Sequence, residues 1–184
     1  MMRILAAILL LLVTLSPSWA QDFFFQEKIG EWAIVGHPGD AALNLHPACV
    51  VGRINPENGA RLIIVTDIAD GELYMSVSHP KWKIHSPVGT LSRLRMHFVS
   101  KDMIKTTMLD YFNTTPEIVV IPKLPPNKLF PALSTADRIE FILPGKLPSV
   151  QIPTDGAKEA LEAMVKCVEN SNDAQKPKNK DIDL

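Results

Sequence analysis

Two cysteines, five histidines and scattered carboxylates are the groups in this 184-residue chain from which chemistry could be built. Cys49, in "HPACVVG", and Cys167, in "LEAMVKCVEN", form no C-x-x-C pair, which argues against a thioredoxin-like catalyst. His37, His46 and Cys49 are close in sequence, but their spacing matches no zinc pattern, and His79 and His85 flank "PKWKI" irregularly. Neither a metal nor a cofactor is expected. Asp67, Asp70 and Glu72 are the kind of acids a glycosidase pairs across a cleft, yet their spacing alone does not pair them. A G-x-S-x-G elbow, an H-E-x-x-H helix and a glycine-rich phosphate loop are all missing, and "HPGD" and "LPGK" read as turns.

Two stretches are better suited to contact than to catalysis. Arg93, Arg95 and His97 alternate with Leu94, Met96 and Phe98, so they form one polar row on a strand. Such a row can meet an acidic or carbohydrate partner, or simply keep an outward face soluble. Phe23, Phe24 and Phe25 cannot all face one dry side of a strand; they either pack as an added strand or leave an apolar patch for a partner.

The start of the chain sets the compartment. Arg3, an apolar run from Ile4 to Leu15 and small residues at Ser18 and Ala20 read as a cleaved secretory signal over residues 1–20. About 12 apolar residues are too few to span a bilayer core that needs about 20. The expectation is an exported chain, periplasmic or secreted, with no transmembrane span after cleavage; association with the outer membrane is compatible with it. Export also gives the cysteines a role, because two thiols in a small exported domain oxidise to a disulfide. Two buried reduced thiols and pairing between chains are the alternatives.

Composition and charge narrow the partners. With 46% hydrophobic residues the chain is globular, and a net charge of -1 draws it to neither nucleic acid nor an anionic membrane by bulk electrostatics. Residues 21–169 are enough for one domain, and 170–184 are too polar to offset their ordering entropy, so a flexible tail is expected there.

The elements that must position these groups are mostly strands. Fifteen prolines cut the chain into short pieces. Residues 30–36, 48–54, 61–68, 72–78, 90–99, 117–121 and 137–143 are rich in β-branched and aromatic residues bounded by Gly, Pro or Asn. Leu73, Met75 and Val77 oppose Glu72, Tyr74, Ser76 and Ser78, which predicts one dry and one wet face. Short connections without crossover helices imply antiparallel pairing. The fold class is therefore mainly β, an antiparallel β-sandwich or barrel-like sheet of about 7–9 short strands, with one C-terminal helix packed on it. That helix is expected over residues 155–168, capped by Thr154, with Ala157, Ala160, Leu161, Met164, Val165 and Val168 as its apolar stripe and Cys167 on the flank. Trp32 and Ile34 share a strand face and are predicted to be core.

The order of these landmarks resembles a known family. "GEW", the strand with Cys49, "RLIIV", "HPKWKI" with Trp82, "LFPALSTADRIEFILPG" and "LEAMVKCV" together resemble the small secreted proteins of the invasion-associated locus B family of proteobacteria, over residues 29–168. The resemblance implies an envelope-associated β-sandwich linked to host-cell invasion, without established catalysis. Members close to the founding proteins look richer in cysteine than this chain, so no binding residues are carried over. The expected function is thus a non-catalytic exported interaction module with a protein or envelope partner. A small periplasmic hydrolase using carboxylates, or a carrier of an apolar ligand, is the alternative.

Overall fold

A computed structural model describes residues 23–40 and 46–174; the expected signal at 1–20 and residues 175–184 of the expected tail lie outside the described residues. In chain order the elements are β1 (Phe25–Ile29), β2 (Trp32–His37), β3 (Ala48–Ile54), β4 (Arg61–Asp67), β5 (Leu73–Ser78), β6 (Leu91–Ser100), β7 (Met103–Thr115), β8 (Ile118–Ile121), α1 (Pro126–Thr135), β9 (Arg138–Ile142), β10 (Val150–Pro153) and α2 (Ala157–Ala174). The strands form one antiparallel sheet in the order β1-β2-β3-β4-β5-β8-β7-β6-β9-β10. β1 to β5 are a meander; the chain then crosses through residues 79–90 to β6 and returns by hairpins, so that β8 lies beside β5.

The mainly β, antiparallel class expected from alternation is what forms, with ten strands rather than seven to nine and a second helix. α1 is a correction: Pro126 occupies its first turn, where a missing N–H costs nothing, and Leu129, Ala132 and Leu133 turn inward at helical spacing. Expecting only one helix gave too much weight to Pro131, whose exposed ring interrupts α1 without ending it.

The sheet is open but strongly rolled. Its inner face carries Trp32, Ile34, Ile64, Met75, Met96 and Phe141 in one buried cluster, so Trp32, 1% exposed, is core as expected. The edge strands do not pair; side chains hold the roll closed instead. Asn55 Nδ2, at the end of the β3–β4 hairpin, donates to Gln151 O of β10 at 2.9 Å, and Trp82 Nε1 donates to Pro148 O at 2.9 Å. Trp82 is fully buried although it lies in the crossing loop and not on a strand.

β5 departs from the expected wet and dry faces. Tyr74 and Ser76, on the side opposite Met75, are buried as well. A second, smaller apolar cluster of Ala48, Val50, Val65, Tyr74 and Val120 accounts for this, because β5 lies in the middle of the sheet.

α2 lies across β1 to β3 and touches α1. It runs from Ala157 to Ala174, past the expected end at 168, and Ser171 is buried on its inner side with Oγ donating to Val168 O. The buried stripe is Ala157, Ala160, Leu161, Ala163, Met164 and Cys167, with Val165 46% exposed. Cys167 lies to one side of the middle of this stripe, as expected, and is fully buried there, because the stripe extends past it to Ala163. Thr154 does not cap by its side chain; its Oγ donates to Ala136 O, and its main-chain carbonyl accepts from Ala157 N.

Candidate binding surface

Cys49 on β3 and Cys167 on α2 are joined as a disulfide, with Cα atoms 6.0 Å apart across 118 residues. The geometry is possible because residue 36 on β2, which pairs with Cys49, is glycine. A Cβ there would meet the Phe24 ring at 2.6 Å and Cys167 Sγ at 2.9 Å. The same corner buries Arg53: its Nη1 donates to Asp155 O at 2.9 Å, Nη2 pairs with Asp155 Oδ1 at 2.8 Å, and its guanidinium lies 5.6 Å from the Trp32 ring centroid. Trp32 Nε1 also donates to Asp155 O.

The candidate contact residues fall in two places. Phe23, Phe24 and Phe25 are half-buried; Phe24 N donates to Gly36 O, Phe25 opens β1, and both rings pack against the main core. This is the added-strand arrangement. Arg93, Arg95 and His97 form the outward row of β6, as their alternation predicts. Arg93 pairs with Asp110 across the hairpin at 3.0 Å, and His97 stands 3.6 Å from Glu140 of β9.

The carboxylates that could have been catalytic are engaged in a turn. Asp67 Oδ1 accepts from Ala69 N and Asp70 Oδ1 from Glu72 N, which shapes the β4–β5 connection. His46 lies 3.2 Å from Asp67 Oδ2. Glu72 accepts from the Tyr74 hydroxyl and lies 3.1 Å from Lys123 Nζ; the hydroxyl first, and then Lys123, hold its carboxyl below the usual range. Burial and the Glu72 carboxylate push the Tyr74 phenol up. Among the described residues no cluster of three or more His, Cys, Asp or Glu could hold a metal ion.

Sequence reasoning picked out the polar row of β6 but missed the apolar side chains around it on the β6–β7 hairpin. Of the exposed large apolar side chains among the described residues, Val88, Leu91, Met103, Ile104 and Met108 all belong to it or to the loop that enters it. A groove of about 540 Å³ runs beside them, with Leu91, Arg93, Met108, Asp110, Pro122 and Lys123 in its walls. The groove exists because β8 leaves β7 early. Pro122 cannot donate to a ladder, and Lys123, at φ 56°, takes a left-handed turn that carries Leu124 inward to hydrogen-bond Leu73 O. The one local sign was "SKDM", a two-residue turn between apolar runs, but it lacks the Asn-Gly or Asp-Gly that marks such turns.

No helix among the described residues is long and apolar enough to cross a membrane. No protein-family model matches the chain, and no curated protein matches it by sequence. Among solved structures the chain is similar in fold to invasion associated protein B from Bartonella henselae, with a TM-score of 0.51 and 15% identity over 79% of this chain and 99% of that one. At that identity the likeness is one of fold.

Proposed function

We propose that the chain is an exported binding module that performs no chemistry of its own and meets an envelope or secreted protein through the outward face of the β6–β7 hairpin. The observation that carries this reading is the concentration of exposed apolar side chains there, beside Arg93 and Arg95. Apolar side chains in water are tolerated singly, whereas a group of them next to a groove marks a contact surface. The disulfide supports export, since such bonds persist in oxidising compartments. The fold shared with invasion associated protein B supports the same class of role, and contact with a host cell is its finer form. The acids of the β4–β5 turn accept main-chain hydrogen bonds, and the groove walls hold a single acid, Asp110, already paired with Arg93.

The test places a photo-crosslinking residue at Leu91 and, as control, at Val165 on α2, in cells that export the chain. Specific adducts to a different protein from position 91 only are expected. The same adducts from both positions, or none from 91, would overturn the reading.

A further inference from the structure

β7 is longer than the strand beside it. Its pairing with β6 runs from Met103 to Phe112, while β8 pairs only with Phe112, Asn113 and Thr115. Among the described residues, no strand pairs with the other edge of β7 from Met103 to Tyr111. The turn between β6 and β7 is the two-residue Lys101-Asp102, so Ser100 and Met103 form the hydrogen-bonded pair and the pattern alternates from there. The N–H and C=O groups of Ile104, Thr106, Met108 and Asp110 therefore point away from β6. Asn113, in the other alternation class, accepts from Gly89 N on the β6 side, as this phase requires. Exposed edges of this kind are normally shortened, bulged or covered, because they template pairing. This one carries Met103 and Ile104, each 62% exposed.

We propose that this edge pairs antiparallel with the same edge of a second copy of the chain, about a two-fold axis through Thr106. The occupant is argued from the side chains. With Thr106 facing its own copy, Ile104 lies opposite Met108 of the second copy, Met103 opposite Leu109 and Lys105 opposite Thr107, so apolar meets apolar and no like charges meet between Met103 and Leu109. The adjacent registers are worse. One sets Lys105 against itself, and the other sets Ile104 against Asp110 and Lys105 against Leu109. Asp102, in the turn, is the one exception in the Thr106 register: it approaches Asp110 of the copy, whose charge is already paired with Arg93 of its own hairpin. The ladder adds about six main-chain hydrogen bonds, two for each facing pair. A two-fold, self-complementary contact of this kind closes on itself and does not build fibres. The inference does not rest on the binding-module reading, because it concerns the strand edge and is observable in the purified protein alone.

Sedimentation of the purified protein from about 1 μM to 1 mM, a range that covers weak as well as standard interfaces, is expected to show a monomer–dimer equilibrium. Thr106→Pro removes an N–H that faces away from β6, so it leaves the β6–β7 ladder intact; it is expected to weaken association at least about tenfold with an unchanged melting temperature. Register is read by cysteine. Thr106→Cys is expected to form a disulfide-linked dimer on mild oxidation, since facing hydrogen-bonded residues lie about 5.5 Å apart, within disulfide reach. Thr107→Cys, which faces Lys105 of the copy, is expected to form no disulfide-linked dimer. Cys49 and Cys167 are bonded and buried, so the added thiol is the only free one. A monomer throughout the concentration series would overturn the proposal and leave the edge to a foreign strand. So would a dimer that survives Thr106→Pro, or cross-linking by Thr107→Cys in place of Thr106→Cys.

Discussion

Around Cys49 and Trp32 the chain is tied by a disulfide, an indole hydrogen bond and a buried guanidinium, whereas β7 from Met103 to Tyr111 has a bare edge and apolar side chains in water. Both regions are antiparallel strands of one sheet, and both are rich in apolar residues. They differ in what lies over them. At the corner, α2 covers β1 to β3, and even a glycine, Gly36, is needed to let Phe24 and Cys167 approach. At the hairpin, the prolines after β8 pull the chain away before it can cover β7. The contrast assigns stability to the corner and leaves the hairpin free to make contacts with other molecules.

The comparison is broken most forcefully at the disulfide. Cys49 and Cys167 close a loop of 118 residues, for which chain entropy predicts up to about 4 to 5 kcal/mol. Replacing both by alanine, or treating the protein with reductant under mild denaturation, is expected to lower its melting temperature by about 10 °C. An unchanged melting curve would mean that the corner is not held by this bond. Trp32→Ala comes next, at about 3 to 5 kcal/mol by chemical denaturation, because it empties a fully packed site and removes one of the two donors to Asp155 O. A loss below about 1 kcal/mol would contradict the burial on which the contrast depends.

The same contrast explains what could be read from the sequence. β2 to β6, β8 and β9 were legible as runs of β-branched and aromatic residues bounded by Gly, Pro or Asn, and where one face alone is dry, alternation reports burial, as at Trp32, Leu94, Met96 and Phe98. β7 was not, since Lys105, Thr106 and Thr107 break the alternation of a strand whose outer half is buried on neither face. α1 was hidden behind Pro125, Pro126 and Pro131, read as breakers although the first two only flank its start. The disulfide was legible from compartment and cysteine count. The apolar part of the hairpin surface was not, because the exposure of Met103, Ile104 and Met108 depends on where β8 stops, and the place of β8 in the sheet is a non-local fact.

Acid sharpens the comparison from a third side. His79, at the end of β5, is buried; its Nδ1 accepts from Lys81 N, and its carbonyl accepts from Trp82 N at the head of the crossing loop. Burial, and then Lys81, push its pKa below 6.5. The folded state thus binds a proton less readily than the unfolded one, so stability is complete above 6.5 and falls as pH drops through the lower folded value. His37, at the end of β2, is shifted the same way by burial, against the pull of Asp40. Melting temperatures measured from about pH 7 to pH 5 are expected to decline, and His79→Asn is expected to flatten the decline. Equal slopes for the two proteins would show that His79 stays solvated.

The smallest effect is expected at the hairpin, and it decides the comparison most directly. Ile104→Ser and Met108→Ser each remove a side chain more than half exposed, so little apolar area leaves water on folding and little is lost by the change. Each is expected to alter stability by no more than about 0.5 kcal/mol in dilute solution, within the range of ordinary surface substitutions. The denaturant slope should also stay unchanged, because the surface exposed on unfolding hardly differs. At high protein concentration the two states of the hairpin separate. If the edge is covered there by another chain, the same substitutions lower the melting temperature only in the concentrated sample, since association stabilises the folded form by mass action. A loss of about 2 kcal/mol already present in dilute solution would instead place these side chains inside the fold, and the hairpin would then be held as the corner is.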